Sequence, residues 1–227
     1  MNSRINNNLS SEIQKLISKF SETLERFKKE YSDEMNMIFK DHDELFAKYG
    51  WYIYDGTSIE NVLIILKLFN EGKSEQAEEK IKKITEYYLT EIETELIKTN
   101  AEFSHIIREA IICHKMELYY ASTILFLSLT DGVANGELFK KSFFVNLKKQ
   151  NKNHFLVDIF NKNNLVNKAF IPNKSSHSEL MRHGIMHGNS INYGNKTNSL
   201  KALSLFHFIT IRKHKFKKTT MANTVQN

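Results

Sequence analysis

The segment Met181-Arg-His-Gly-Ile-Met-His-Gly188 gathers one guanidinium and two imidazoles into a short stretch of chain. Arg182 offers a planar cation with paired N–H donors, the group best shaped to grip two oxygens of a phosphate at once. His183 and His187 offer rings of the kind that titrates near neutrality, which proton transfer to or from a reacting oxygen requires. On a helix, His183 and His187 stand four residues apart and share a face. Arg182 and Met186 share the adjacent row, and Arg182 and His187 lie about 140° apart around the axis. Such a set converges on a phosphate at the helix end, and more readily if a two-fold axis brings two copies together.

The same residues admit two other readings. In one, the histidines are structural, bonded to backbone or to Glu179 where a helix starts. In the other, His-x-x-x-His is ligand spacing on a helix, with His177 or Glu179 as the nearest third donor. No Glu follows the first His, so the zinc-protease pattern is not met. Cys113 is the sole cysteine, which excludes an internal disulfide and any Cys-x-x-Cys zinc site. Its setting, Ile111-Ile112-Cys113, suggests a small buried filler.

Charge bears on the partner. The net charge of +6 is divided unevenly. Residues 1–137 carry 16 Lys and Arg against 24 Asp and Glu, a net of −8, whereas residues 138–227 carry 16 against 2, a net of +14. A basic half of this kind suits a polyanion; a lysine-rich solvated face explains it equally well. Lys174, Lys196, Lys201 and Arg212, on the two flanks of the Arg182 segment, are the candidate contacts to such a polymer.

Helices must position these groups, because one proline and eight glycines leave few breakers in 227 residues. Residues 1–10 read as disordered. Ile13, Leu16, Ile17, Phe20, Leu24, Phe27 and Tyr31 form one helical stripe, the start of an N-terminal extension over 11–48. Tyr49 to Gly56 reads as a turn or short extended piece. Thr57 or Ser58 caps a helix that Gly72 ends. Ser74 caps the next, with Ile81, Ile84, Tyr88, Ile92 and Leu96 inward and a solvated Glu- and Lys-rich face.

From Asn100 to about Asp131 the pattern predicts one apolar helix at the centre of a bundle, with Phe103, Ile107, Ala110, Ile111, His114, Leu118, Ala121, Ile124 and Leu125 on its wide face. Phe139, Phe143, Phe144 and Leu147 suggest a further helix, residues 154–160 a short one, and 161–176 a loop. Ser176 and Glu179 fit a capping box ahead of Arg182. The last helix is expected over 197–212, burying Leu200, Leu203, Leu205, Phe208 and Ile209. A basic, flexible tail over 212–227 would follow. No stretch has the roughly 20 apolar residues of a membrane span, and the N-terminus lacks a leader-like apolar core; a cytoplasmic protein is expected.

The run Arg182-His183-Gly184-Ile185-Met186-His187 resembles the R-x4-6-H signature of the HEPN superfamily, with His183 in the polar slot that often follows the arginine. Tyr193-Gly194 and Asn198-Ser199-Leu200-Lys201-Ala202-Leu203-Ser204-Leu205 resemble the C-terminal block of bacterial HEPN-like proteins, so the likeness spans roughly residues 176–210. It implies an all-α, up-and-down bundle over 49–211 and a homodimer whose two motifs share a cleft. It also implies a metal-independent endoribonuclease, without cofactor, in phage defence or a toxin–antitoxin system.

In such a site the 2′-OH of RNA is the nucleophile, and the products are a 2′,3′-cyclic phosphate and a 5′-hydroxyl. Arg182 would hold the scissile phosphate, His187 would move a proton, and His183 would orient the phosphate or supply the second proton. Asp131 and Glu179 are candidate supporting carboxylates. A second pair at similar spacing, Arg108 and His114, has Glu109 as a built-in counter-ion and reads as structural. The family's nucleotide-accepting tyrosine would fall two residues after the motif histidine. Asn189 stands there, and Tyr193 is the nearest tyrosine, so regulation by nucleotide transfer is not expected. The alternative function is a non-catalytic RNA-binding, dimerisation or antitoxin module, with the acidic N-terminal half binding a separate partner protein.

Overall fold

A computed structural model describes residues 42–134, 136 and 180–224, together with Glu22; over 212–224 it describes the backbone alone. The chain divides into two units, Met1–His42 and Asp43–Asn227, and the second carries everything below. Every element among the described residues is helical, and none is a strand. Of the helical extension expected over 11–48, Glu22 and residues 42–48 are described and helical; the rest, with the elements expected over 137–179, lies outside the described residues.

After a helical stretch over 43–48, residues 51–57 form an irregular aromatic loop. Helix α1, Ile59–Asn70, begins as expected: Ser58 Oγ accepts the Asn61 N–H at 3.4 Å. It ends at Gly72, whose φ is +74°. The N–H groups of Gly72 and Lys73 donate to the carbonyls of Phe69 and Leu68, so a left-handed residue satisfies the orphan carbonyls of the last turn.

The helix predicted from Ser74 onward is two helices. Helix α2 spans Ser74–Tyr87 and α3 spans Leu89–Thr99, separated by Tyr88 alone. Ser74 lies inside α2, and the residue before it, Lys73, makes no side-chain cap bond. Ile81, Ile92 and Leu96 are buried as expected, while Ile84 and Tyr88 are half-buried.

The long apolar helix is also two. A 3-10 turn at Ala101–Phe103 leads into α4, Ser104–Lys115, and α5 spans Tyr119–Val133. Between them Glu117 takes a φ of 61°. Leu118 N–H reaches back to Cys113 O at 2.8 Å and Glu117 N–H to His114 O at 3.0 Å, the same closure seen at Gly72 but without a glycine. This break resets the helical phase. Carrying the stripe across it wrongly turned Leu118, Ala121 and Ile124 inward; they are exposed, and the buried face of α5 is Ser122, Thr123, Phe126, Leu127, Leu129, Thr130 and Val133.

The centre of the bundle is the last helix. Helix α6, Arg182–Met186, is a single turn, and α7 runs from Lys196 to Thr224. Residues 198–210 of α7 are buried without interruption, with α5 alongside and α2 and α3 also in contact. Leu200, Leu203, Leu205, Phe208 and Ile209 are all in the core, each large side chain contributing about 1.5–3 kcal/mol. The expected tail from Arg212 is corrected: the backbone stays helical to Thr224, since no Gly or Pro follows Gly194 to stop it.

Candidate functional site

Two apolar anchors set the α6 turn. Leu180 and Met181 are buried just before it, and Ile185 and Gly184 are buried within it. Gly188, with φ +71°, closes it. Its N–H donates to Ile185 O at 3.1 Å, while Asn189 and Ser190 N–H both donate to Gly184 O, at 2.8 and 2.9 Å. A five-residue helix is thereby locked at its C-terminal end. With one side fixed inward, His183 and His187 project to solvent, where their ring centroids lie 4.4 Å apart at an interplanar angle of 56°.

Arg182 takes a different direction. Its Nη2 donates to Asp131 Oδ2 of α5 at 3.3 Å, and both side chains are mostly covered, at 17% and 31% exposure. Burial lowers the pKa of Arg182 below the ordinary guanidinium value, and the Asp131 charge opposes that shift. The structure thus forms two pairs: imidazole with imidazole on the surface, and guanidinium with carboxylate against α5. Asp131, a candidate by sequence position alone, meets Arg182 across a separation of 51 residues.

Beyond the turn the chain is fastened to α7. Tyr193 is buried with its ring edge-on to Tyr120, centroids 5.0 Å apart. A side chain at Gly194 would run into that Tyr120 ring. Asn195 caps α7 by accepting the Asn198 N–H at 2.9 Å, and Asn198 Nδ2 donates back to Tyr193 O at 3.0 Å.

The candidate cations separate. Lys196 is at the surface and binds Glu86 at 2.6 Å; that hydrogen bond, ahead of the cost of burial, raises its pKa. Lys201 is turned inward rather than presented to solvent: it is 6% exposed, pairs with Glu78 at 3.1 Å and lies over the Trp51 ring at 5.4 Å. It faces inward because α7 is enclosed on all sides. Lys174, His177, Glu179 and the side chain of Arg212 lie outside what is described, so the capping box and the third donor of the metal reading are not placed. Among the described residues, no three His, Cys, Asp or Glu side chains converge as a metal site. Arg108 and Glu109 are both exposed, and Cys113 is half-buried.

Two polar constellations went unread in the sequence. His114 Nδ1 lies 2.8 Å from Ser199 Oγ, which lies 2.6 Å from Ser122 Oγ. His207 Nε2 lies 2.8 Å from Glu95 Oε2, and Tyr54 Oη donates to Glu95 Oε1 at 3.1 Å. The signal was present: Ser199, Lys201 and His207 stand among the apolar residues of the last helix, and a buried helix must partner such groups.

No family profile, no curated protein and no solved structure matches the chain.

Proposed function

We propose that the α6 turn carries a metal-independent ribonuclease site of HEPN type, acting on RNA as a homodimer in phage defence or a toxin–antitoxin system. The observation that supports it most is the pair of solvent-facing imidazoles, His183 and His187, 4.4 Å apart on the turn that also holds Arg182. In-line transfer takes one imidazole on each side of the phosphorus; rings 4.4 Å apart are in contact and share one side, so the opposed ring is the one the partner protomer brings to the shared cleft. One takes the proton of the ribose 2′-OH as that oxygen bonds to phosphorus; the other, protonated, gives its proton to the departing 5′-oxygen. The products are a 2′,3′-cyclic phosphate and a 5′-hydroxyl, and the next turnover begins once the two rings exchange protonation states with water. The basic C-terminal half supplies long-range attraction for the polymer.

One observation favours the non-catalytic reading. Arg182 already has a carboxylate partner in Asp131, so its first role is to fix α6 on α5. In that reading the turn is a rigid edge of an RNA-binding or partner-binding module.

Incubation of the full chain with RNA separates the two. The ribonuclease reading expects cyclic-phosphate ends, unchanged by a chelator, and a loss of at least about a hundredfold in His187→Ala and Arg182→Ala. If wild type and both variants bind RNA alike and none cuts it, the enzyme is ruled out and the module stands.

A further inference from the structure

Three helices meet at His114, which the chemistry above does not use. It is the penultimate residue of α4 and 4% exposed. Its Nδ1 is bonded to Ser199 Oγ of α7, and Ser199 to Ser122 Oγ of α5, and both serines are fully buried. The Tyr119 ring of α5 stands 5.6 Å from the imidazole. The charged groups around it come from every neighbouring element. Helix α2 contributes Glu86, bonded to Lys196 of α7, and α4 contributes Lys115, bonded to Glu93 of α3 at 3.3 Å. Glu117 follows in the turn before α5.

A neutral ring fits this junction, because two hydroxyls and an imidazole satisfy one another without charge. A protonated ring does not: it needs an acceptor at each nitrogen and puts a cation into a buried site. The C-terminal end of α4 and the Glu86 carboxylate favour the cation; burial, Lys196 and Lys115 oppose it. Burial is the largest of these and holds His114 below the ordinary imidazole range.

We propose that His114, Ser199 and Ser122 form an acid-sensitive latch that holds the first turns of α7 against α4 and α5. Once undocked, the ring takes a proton near the ordinary value of about 6.5; docked, it does so only at lower pH. Between those values the undocked state binds more protons, so the latch is secure above about 6.5 and weakens as pH falls. One proton per opening event raises the opening equilibrium by at most about tenfold per pH unit. The segment released, from Lys196 onward, continues back through Asn195 and Tyr193 to the α6 turn. Acid therefore loosens the support of His183 and His187.

Backbone hydrogen exchange over residues 196–204 from pH 7.5 to 5, corrected for intrinsic exchange, tests this. In the wild type the opening constant rises as pH falls below about 6.5, by at most about tenfold per pH unit and only until the docked ring takes its own proton, whereas in His114→Gln it is flat. Glu86→Gln keeps the slope, since that carboxylate is not the titrating group. Equal slopes in wild type and His114→Gln overturn the latch. The ring titration of His114 by NMR in the wild type decides independently if His114→Gln does not fold: a midpoint at or above the ordinary value overturns it too. Both readouts are independent of RNA cleavage, so the latch can fail while the ribonuclease reading stands, and the reverse.

Discussion

Arg182 and Asp131 lie 51 residues apart in the chain and 3.3 Å apart in the fold, so on the proposed reading the guanidinium of the candidate site would be shared between α5 and RNA. That sharing predicts opposite effects of one substitution. Asp131→Asn removes the competing charge and weakens the hold of α5 on Arg182, so on the proposed ribonuclease reading RNA affinity rises, by at most about tenfold at fixed salt. The same change destabilises the fold by about 1–2 kcal/mol, because a half-buried guanidinium loses its counter-ion. Filter binding and urea unfolding read the two quantities. Weaker RNA binding in a folded Asp131→Asn protein would assign the carboxylate a supporting rather than a competing role.

Tyr54 gives the clearest pH signature. Burial first, then the hydrogen bond and charge of Glu95, push its hydroxyl up to about 12. In the unfolded chain a tyrosine loses its proton near 10. The folded state therefore binds more protons between about 10 and 12, and stability falls as pH rises through that window. Tyr54→Phe should remove this portion of the alkaline slope and cost about 1 kcal/mol at neutral pH. Glu95 keeps His207 as a partner at 2.8 Å, which limits the loss. Guanidinium unfolding at several pH values checks both; an alkaline slope identical in the two proteins would locate the titrating group elsewhere.

How much of this was legible depends on where local rules suffice. Gly72 marked a helix end because glycine alone takes a left-handed φ without cost. The burial of Leu200, Leu203, Leu205, Phe208 and Ile209 followed from period. Glu117 could not be read, since nothing in its side chain announces a φ of 61°, and missing it misplaced the inner face of α5. Lys201 was misread for a related reason. A lysine defaults to solvent, and only the enclosure of α7 by α2, α3 and α5 reverses that. Arg182–Asp131 is a tertiary pairing between segments separated by more than fifty residues, which no spacing rule reaches.

Lys201 now predicts what its sequence context did not. Lys201→Met keeps the stem's packing, removes a buried charge and leaves Glu78, 25% exposed, to be solvated. Stability should change by less than about 1 kcal/mol. Glu78→Ala takes the carboxylate away from a buried ammonium that keeps the Trp51 ring beside it, and should cost about 1–2 kcal/mol. RNA affinity and its salt dependence should be unaltered in Lys201→Met, because the lysine meets no phosphate. A salt slope reduced by about one unit would place it on the polymer after all.

Glu117 and Gly188 hold the same left-handed position after a helix, at φ 61° and 71°, with residues of opposite suitability. Glu117→Gly relieves the contact of Cβ with the following carbonyl, worth about 1–2 kcal/mol, and loses part of that to the greater freedom of the unfolded chain. The net expected gain is about 0.5–1 kcal/mol. Gly188→Ala has the reverse sign. An added Cβ there meets nothing within 4 Å, so the penalty is torsional, about 1 kcal/mol. That strain falls on the residue next to His187 and should tilt its ring away from His183. Urea unfolding measures both signs. If Gly188→Ala were neutral in stability and in RNA cleavage, the turn would not be setting the spacing of the two imidazoles.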